Sequence, residues 1–310
     1  MPTSVETTAS VSIAPNLTAV VGNTPLYRLT TLTDGLDDVE ILVKAEWMNP
    51  SGSVKDRAAS NIVRTAERNG TLKPSQTLLD ASSGNFGTSL AMVGASRGYK
   101  VTVCVPSNVP EERKRMLKAF GAETVLTDGS RGSDGATIAA RELAASNPAL
   151  YFYTDQYSNP ANWQAHYLGT AEEIWQQSQG RVTHFVASVG SSGTFMGTSR
   201  RLRELNASIQ CIAMQPDCSG HHLRGMKHME TAMRPAIYEE SAADRILRAN
   251  TADAVAAARR LSREEGMLVG VTSGAALLGC LEIARTCLRP ATIVAIFPDT
   301  GMNCIEQLYA

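Results

Sequence analysis

Aromatic residues are scarce in this chain, at 5% of 310 residues, and its six cysteines form no CxxC pair. Charge of either sign is not in excess: Lys+Arg number 29 against 30 for Asp+Glu, a net charge of −1. Such a balance exerts no bulk pull toward nucleic acid or an anionic membrane. No apolar run reaches membrane-spanning length, and residues 1–15 are small and polar with no apolar signal core, so a disordered leader and a reduced, cytoplasmic protein are expected. Internal repeats and low-complexity linkers are also missing, which leaves domain boundaries to be set by topology. What is plentiful is glycine, with 24 residues, as suits a compact α/β enzyme rich in tight turns. Cys104 and Cys211 lie in apolar strand-like runs and read as buried free thiols, and Cys280 and Cys287 as core packing on one helix. The pair His221-His222 has no further ligand spaced with it, so a solvated loop is favoured over a metal site.

Strand and helix patterns alternate almost to the end. Strand-like runs fall near 40–47, 77–80, 100–105, 123–127, 150–153, 184–188, 209–214, 267–271 and 292–297. Between them, helical spacing predicts helices over 54–69, from the 81–87 turn through Arg97, and over 110–120, 136–146, 160–178, 193–205, 252–265 and 274–287. An irregular stretch is expected from Pro216 to about Ala249. This alternation argues for parallel sheets covered by helices, whose ligands sit beyond the carboxyl ends of the strands.

Four glycine- or serine-rich turns occupy that position. In Asn49-Pro50-Ser51-Gly52-Ser53-Val54-Lys55-Asp56-Arg57, Ser53 reads as an N-cap and Lys55 falls in a first helical turn, where the helix dipole disfavours a cation. Lys55 is then either a solvated surface lysine or one with a lowered pKa, held to form a Schiff base with a carbonyl cofactor. Ser82-Ser83-Gly84-Asn85-Phe86-Gly87 opens a second helix, and Thr272-Ser273-Gly274 a third. Gly190-Ser191-Ser192-Gly193-Thr194 follows an apolar strand and precedes a helix. Its N–H groups and hydroxyls suit a phosphate dianion, although an ordinary tight turn reads the same way. It is not GxGxxG and no acidic ribose ligand follows, so a mononucleotide-sized phosphate fits better than a dinucleotide.

Taken together, these stretches resemble the fold-type II pyridoxal-phosphate enzymes, and within them the cysteine synthases. The resemblance runs from Val21-Gly22-Asn23-Thr24-Pro25-Leu26 nearly to the C-terminus. It implies a two-domain α/β fold like the tryptophan synthase β chain, with parallel-type twisted sheets flanked by helices. The implied smaller domain is 46–159; 16–45 plus 160–310 form the larger. The resemblance makes Lys55 the catalytic Schiff-base lysine and places pyridoxal phosphate against Asn85, Gly190, Ser191, Ser192, Gly193, Thr194 and Ser273, the last at the pyridine nitrogen. It assigns Ser82, Ser83, Gly84, Asn85 and Phe86 to the substrate-carboxylate loop, with Gln156 assisting. The implied reaction makes L-cysteine from an activated serine and a sulfur nucleophile through an aminoacrylate, with Lys55 as general base. Related outcomes on the same scaffold are cystathionine or diaminopropionate formation and serine/threonine deamination.

His222-Leu223-Arg224-Gly225-Met226-Lys227 resembles the B-type and phosphoserine-using branch, and Ala165-His166-Tyr167-Leu168-Gly169-Thr170 and Glu264-Glu265-Gly266 point the same way. Arg224 either forks onto a phosphate or sulfur-donor anion or pairs with a nearby carboxylate. Two departures stand out: Phe86 replaces the usual threonine beside Asn85, bringing bulk near the donor, and Met302-Asn303-Cys304 replaces an aromatic-containing stretch. Cys304 is a candidate redox thiol near the mouth of the site. Arg113, Lys114, Arg115 and Lys118 read as a charged helix face. The resemblance implies a homodimer, with a serine acetyltransferase or a sulfur-carrier protein as candidate partners.

Overall fold

The computed structural model describes residues 13–309, so residues 1–12 of the expected leader lie outside the described residues. Strands β1 (Leu26–Arg28) and β2 (Val39–Ala45) pair antiparallel at the start of the chain. Strands β3 (Thr77–Ala81), β4 (Val101–Pro106), β5 (Glu123–Thr127) and β6 (Tyr151–Tyr153) form a four-stranded parallel sheet in the order β5-β4-β3-β6. Strands β7 (His184–Ser188), β8 (Gln210–Pro216), β9 (Arg245–Ala249) and β10 (Ala291–Phe297) join the first two in the order β1-β2-β10-β7-β8-β9. Every pair in this larger sheet except β1–β2 is parallel.

The centre of the larger sheet explains itself from sequence. β10 reads Ala-Thr-Ile-Val-Ala-Ile-Phe and is buried along its whole length, as expected of a strand covered on both faces. It is held between β2 and β7, with Ala295 opposite Val43 on one side and Val186 on the other. Helices fill the connections: α1 (Lys55–Arg68), α2 (Asn85–Arg97), α3 (Glu111–Ala119) and α4 (Gly132–Ser146) around the smaller sheet, then α5 (Pro160–Ala165), α6 (Ala171–Gln177), α7 (Gly193–Leu205), α8 (Thr251–Glu264), α9 (Val271–Thr286) and α10 (Ile305–Tyr309). Two apolar layers sandwich the larger sheet, one built with Ile41, Val186, Ile293 and α9, the other with Phe185, Phe195 and Ile174.

Four local expectations are corrected. Residues 267–271 form no strand: only Val269 makes an isolated bridge, to Thr300, and Val271 already begins α9. The stretch from 216 to 249 ends in an edge strand, β9, whose charged, half-exposed residues hide it from pattern reading. The helix expected over 160–178 is broken by a π-helical turn, His166–Thr170, between α5 and α6. Val54 occupies the cap position of α1, while buried Ser53 accepts a hydrogen bond from the Lys55 backbone N–H at 3.3 Å.

The carboxyl ends of β2, β7, β10 and β3 converge. From them leave, respectively, the lysine turn, the 190–194 turn, Asp299 and the Ser82–Asn85 turn, which places all four at one cleft.

Candidate active site

The lysine turn is held by a buried ion cluster behind it. Arg57, in the first turn of α1, donates from Nε to Glu46 Oε2 and from Nη1 to Glu173 Oε1, both at 2.7 Å. Lys44 adds a second cation, 2.7 Å from Glu173. A Cβ on Gly22 would stand 3.0 Å from Arg57 Nη1 with φ at +93°, so the Gly22-Asn23-Thr24-Pro25 turn needs glycine to pass over the cluster. On the cleft side, Asp56 accepts from the Ser51 backbone N–H at 2.7 Å and also from its hydroxyl, which closes the turn. Lys55 Nζ then projects into the cleft and donates to Ser191 Oγ at 3.4 Å. Burial pulls its pKa down to about 8, against an opposing pull from Asp299.

Opposite Lys55 the 190–194 turn makes a cup that carries no ionisable side chain. Ser192 sits in the left-handed region at φ +70°. A Cβ on Gly190 would lie 2.0 Å from the Gly225 carbonyl oxygen, and one on Gly193 2.0 Å from Asn162 Oδ1. Backbone therefore approaches backbone and a buried amide here as closely as glycine permits. Asn162 spans the gap, donating to Ser191 Oγ at 3.2 Å and to the Gln156 carbonyl at 2.6 Å. Thr194, in the first turn of α7, lines the cleft, and its hydroxyl lies 3.3 Å from the Nε2 of buried His166.

The mouth is ionic. Asn85 donates to Asp299 Oδ2 at 2.8 Å and accepts from Arg113 Nη1 at 3.3 Å; Arg113 also donates to the Asn303 carbonyl at 3.0 Å. Asp299 accepts from Thr272 Oγ1 at 3.2 Å, and burial raises its pKa. Arg224 lines the same cleft, exposed and without an ion pair among the described residues. Ser83, Gly84 and Asn85 stand at the start of α2, and Ser82 accepts from the Gly87 N–H at 2.9 Å. Gln156 is buried behind this loop, donating from Nε2 to the Ala81 carbonyl at 3.1 Å. Phe86 corrects its expectation: it is 2% exposed and packs into the apolar layer of the smaller sheet, because the first turn of α2 aims it inward rather than at the donor. Arg113 likewise leaves the charged helix face expected of it and turns into the cleft. Burial pushes the Cys304 thiol up to about 11, so it stays protonated at neutral pH, which opposes ready oxidation.

Sequence reasoning missed Asp299, Arg113, Asn162 and the role of His166. The position of Asp299, just past the carboxyl end of the central parallel strand β10, is the signal that points to it.

Two buried hydroxyls of the cleft region, Ser192 Oγ and Ser273 Oγ, have no hydrogen-bond partner among the described residues. Such groups normally have one. A neutral hydroxyl suits an aromatic ring nitrogen, the uncharged cup suits a phosphate, and the lysine that donates to Ser191 in that cup suits an aldehyde, so the residues fit pyridoxal phosphate. Comparison with known proteins agrees: residues 17–299 match the family described as "Pyridoxal-phosphate dependent enzyme". The chain belongs to that family. A cysteine synthase of Aquifex aeolicus is 47% identical over 287 residues, covering 91% of this chain and 88% of that protein. A cysteine synthase B of Escherichia coli is 40% identical, covering 92% of each. Among solved structures, the cysteine synthase of Entamoeba histolytica superposes with a TM-score of 0.92 at 36% identity, covering 100% of this chain and 94% of that one. As a pyridoxal-phosphate dependent enzyme of fold type II, the chain gathers the residues that fit the cofactor at the carboxyl ends of its parallel strands.

Proposed function

We propose that this enzyme synthesises L-cysteine by β-replacement: it takes an activated serine, O-acetylserine or O-phosphoserine, and exchanges the oxygen substituent at Cβ for sulfur. The observation that carries the reading is Lys55 Nζ, with a pKa of about 8, enclosed between an uncharged glycine cup and the α2 N-terminus. The similarity to cysteine synthases over nine-tenths of the chain supports it. Bound pyridoxal phosphate supplies the electron sink that acidifies the donor's α-hydrogen. Lys55, Asn85, Gly190, Ser191, Ser192, Gly193, Thr194 and Ser273 would hold it, Ser273 meeting the ring nitrogen as a neutral group.

The chain's own residues do the rest. The Lys55 amine takes the proton from the donor's Cα and returns it once sulfur has joined Cβ, a task suited to a base whose pKa lies near neutrality. Backbone N–H groups of Ser83, Gly84 and Asn85 receive the α-carboxylate at the positive end of α2, with Gln156 steadying the loop from behind. Arg224 faces the donor's leaving group or an anionic sulfur donor. The division into 46–159 and 16–45 plus 160–310 belongs to the same reading, since each sheet falls within one part. So do a cytoplasmic homodimer and docking with a serine acetyltransferase or a sulfur-carrier protein.

The test is product analysis. With sulfide and either donor, purified enzyme is expected to release L-cysteine in step with acetate or phosphate. Ammonia and a keto acid without cysteine would instead assign an elimination.

A further inference from the structure

The π-helical turn His166–Thr170 brings an imidazole beneath the 190–194 cup. His166 has 0% exposure, and its ring touches two hydroxyls: Thr170 Oγ1 at 3.0 Å from Nδ1 and Thr194 Oγ1 at 3.3 Å from Nε2. The approach depends on Gly197, one turn beyond Thr194 on α7, where a Cβ would lie 2.0 Å from the Trp163 carbonyl oxygen and 2.8 Å from the Tyr167 nitrogen. A π turn of this kind is a local defect that persists where it places a side chain. Burial together with the cations of Lys55 and Arg57 holds His166 well below the ordinary histidine pKa, opposed only by Glu173, so the ring is neutral.

A neutral imidazole donates from one nitrogen and accepts at the other. Two arrangements of this hydroxyl–imidazole–hydroxyl chain are possible. In one, Thr194 donates to Nε2 and turns its lone pairs toward the cup. In the other, Thr170 donates to Nδ1, Nε2–H donates to Thr194 Oγ, and the Thr194 proton is released toward the cup. A phosphate monoester dianion offers only acceptors, so the second arrangement alone serves it. We infer that His166 is a positioning residue that fixes the direction of this chain, so that Thr194 presents a hydrogen-bond donor to the phosphate group of the cofactor. The inference rests on the cofactor reading above and deepens it. His166 touches neither the cofactor nor the substrate; it acts through Thr194.

The test uses the full chain stripped of cofactor and titrated with pyridoxal phosphate and, separately, with pyridoxal, which lacks the phosphate. His166→Leu is expected to weaken pyridoxal phosphate binding about 10-fold while pyridoxal binding stays within about 2-fold of wild type. His166→Gln, which returns an N–H near the Nε2 position, is expected to recover most of the loss. In a Thr194→Val background, His166→Leu is expected to have no further effect, and the ³¹P resonance of bound cofactor should shift alike in both single variants. Equal weakening of both ligands would overturn the inference and reduce His166 to a structural role, as would additive losses with Thr194→Val. A wild-type chain that takes up neither compound at Lys55 would refute the cofactor reading itself, an outcome distinct because no wild-type affinity is then present to lose.

Discussion

The two ends of the cleft are built in opposite ways. At the cup, residues 190–194 contribute backbone and small hydroxyls, carry no charge, and press against Gly225 and Asn162 so closely that a single added carbon collides. At the mouth, Asp299, Arg113 and Arg224 are long or charged side chains, and the contacts Asn85–Asp299 and Arg113–Asn303 cross between segments belonging to different sheets. A group that stays bound through every turnover is best held by backbone, which has no rotamers to lose. A group that must enter and leave is better met by side chains that can let go. Lys55 stands between the two ends, donating to Ser191 Oγ at the cup and feeling the charge of Asp299 at the mouth.

The largest effect should therefore come from Lys55. Lys55→Ala is expected to lower β-replacement at least about 1,000-fold, because no other lysine lines the cleft among the described residues and the proposed reaction needs an amine there. Steady-state turnover with sulfide measures this; a loss under about 10-fold would place the base elsewhere. The next largest effect belongs to the cup. Gly190→Ala sets a Cβ 2.0 Å from a backbone carbonyl that cannot swing aside, whereas Gly84→Ala at the mouth meets nothing within 4 Å. Cofactor affinity is expected to fall roughly 100-fold in the first and under about 2-fold in the second, given the usual cost of overpacking. Equal losses would erase the distinction between a rigid end and an adaptable one.

That asymmetry also decides what could be read from sequence. The cup, the lysine turn and the fold class are written in local pattern: an apolar strand, a glycine- or serine-rich turn, then helical spacing. Lys55, Asn85, Gly190, Ser192 and Thr194 come together because parallel topology carries every such turn to the same side. The mouth depends instead on which way a helix faces. In α3 the run Glu-Glu-Arg-Lys-Arg shows no apolar rhythm to reveal that Arg113, rather than Arg115, points inward. Phe86 misled for the converse reason: its neighbours are site residues, yet the first turn of α2 rotates its ring into the core. Met267 to Val271 has strand composition but finds no ladder to join, and β9 has a ladder without strand composition. In both, tertiary context overrides propensity.

A smaller effect is expected from Asp299. Its carboxylate raises the pKa of Lys55, so Asp299→Asn removes an anion that favours the ammonium form. The sign follows: the Lys55 pKa falls further below about 8, and the rise of kcat with pH moves to lower pH by about one unit. The amide keeps an acceptor for Asn85 Nδ2, so cofactor binding should hold. A pH profile of kcat for both proteins checks this, and an upward move would mean that Asp299 does not act on the lysine through its charge.

The smallest effect tests whether the mouth distinguishes donors at all. Arg224 is exposed and free of carboxylate partners among the described residues, so its guanidinium faces solvent as well as cleft. An exposed ion pair contributes at most about 1 kcal/mol. Arg224→Ala is accordingly expected to raise KM for O-phosphoserine roughly fivefold and to leave KM for O-acetylserine within about 2-fold, with kcat little changed for either. KM measured for both donors at fixed sulfide is the check. If the two rise together, Arg224 acts on what the donors share, the α-carboxylate. The mouth would then be a general anion funnel, and the choice between phosphoserine and acetylserine would rest on the more enclosed Arg113.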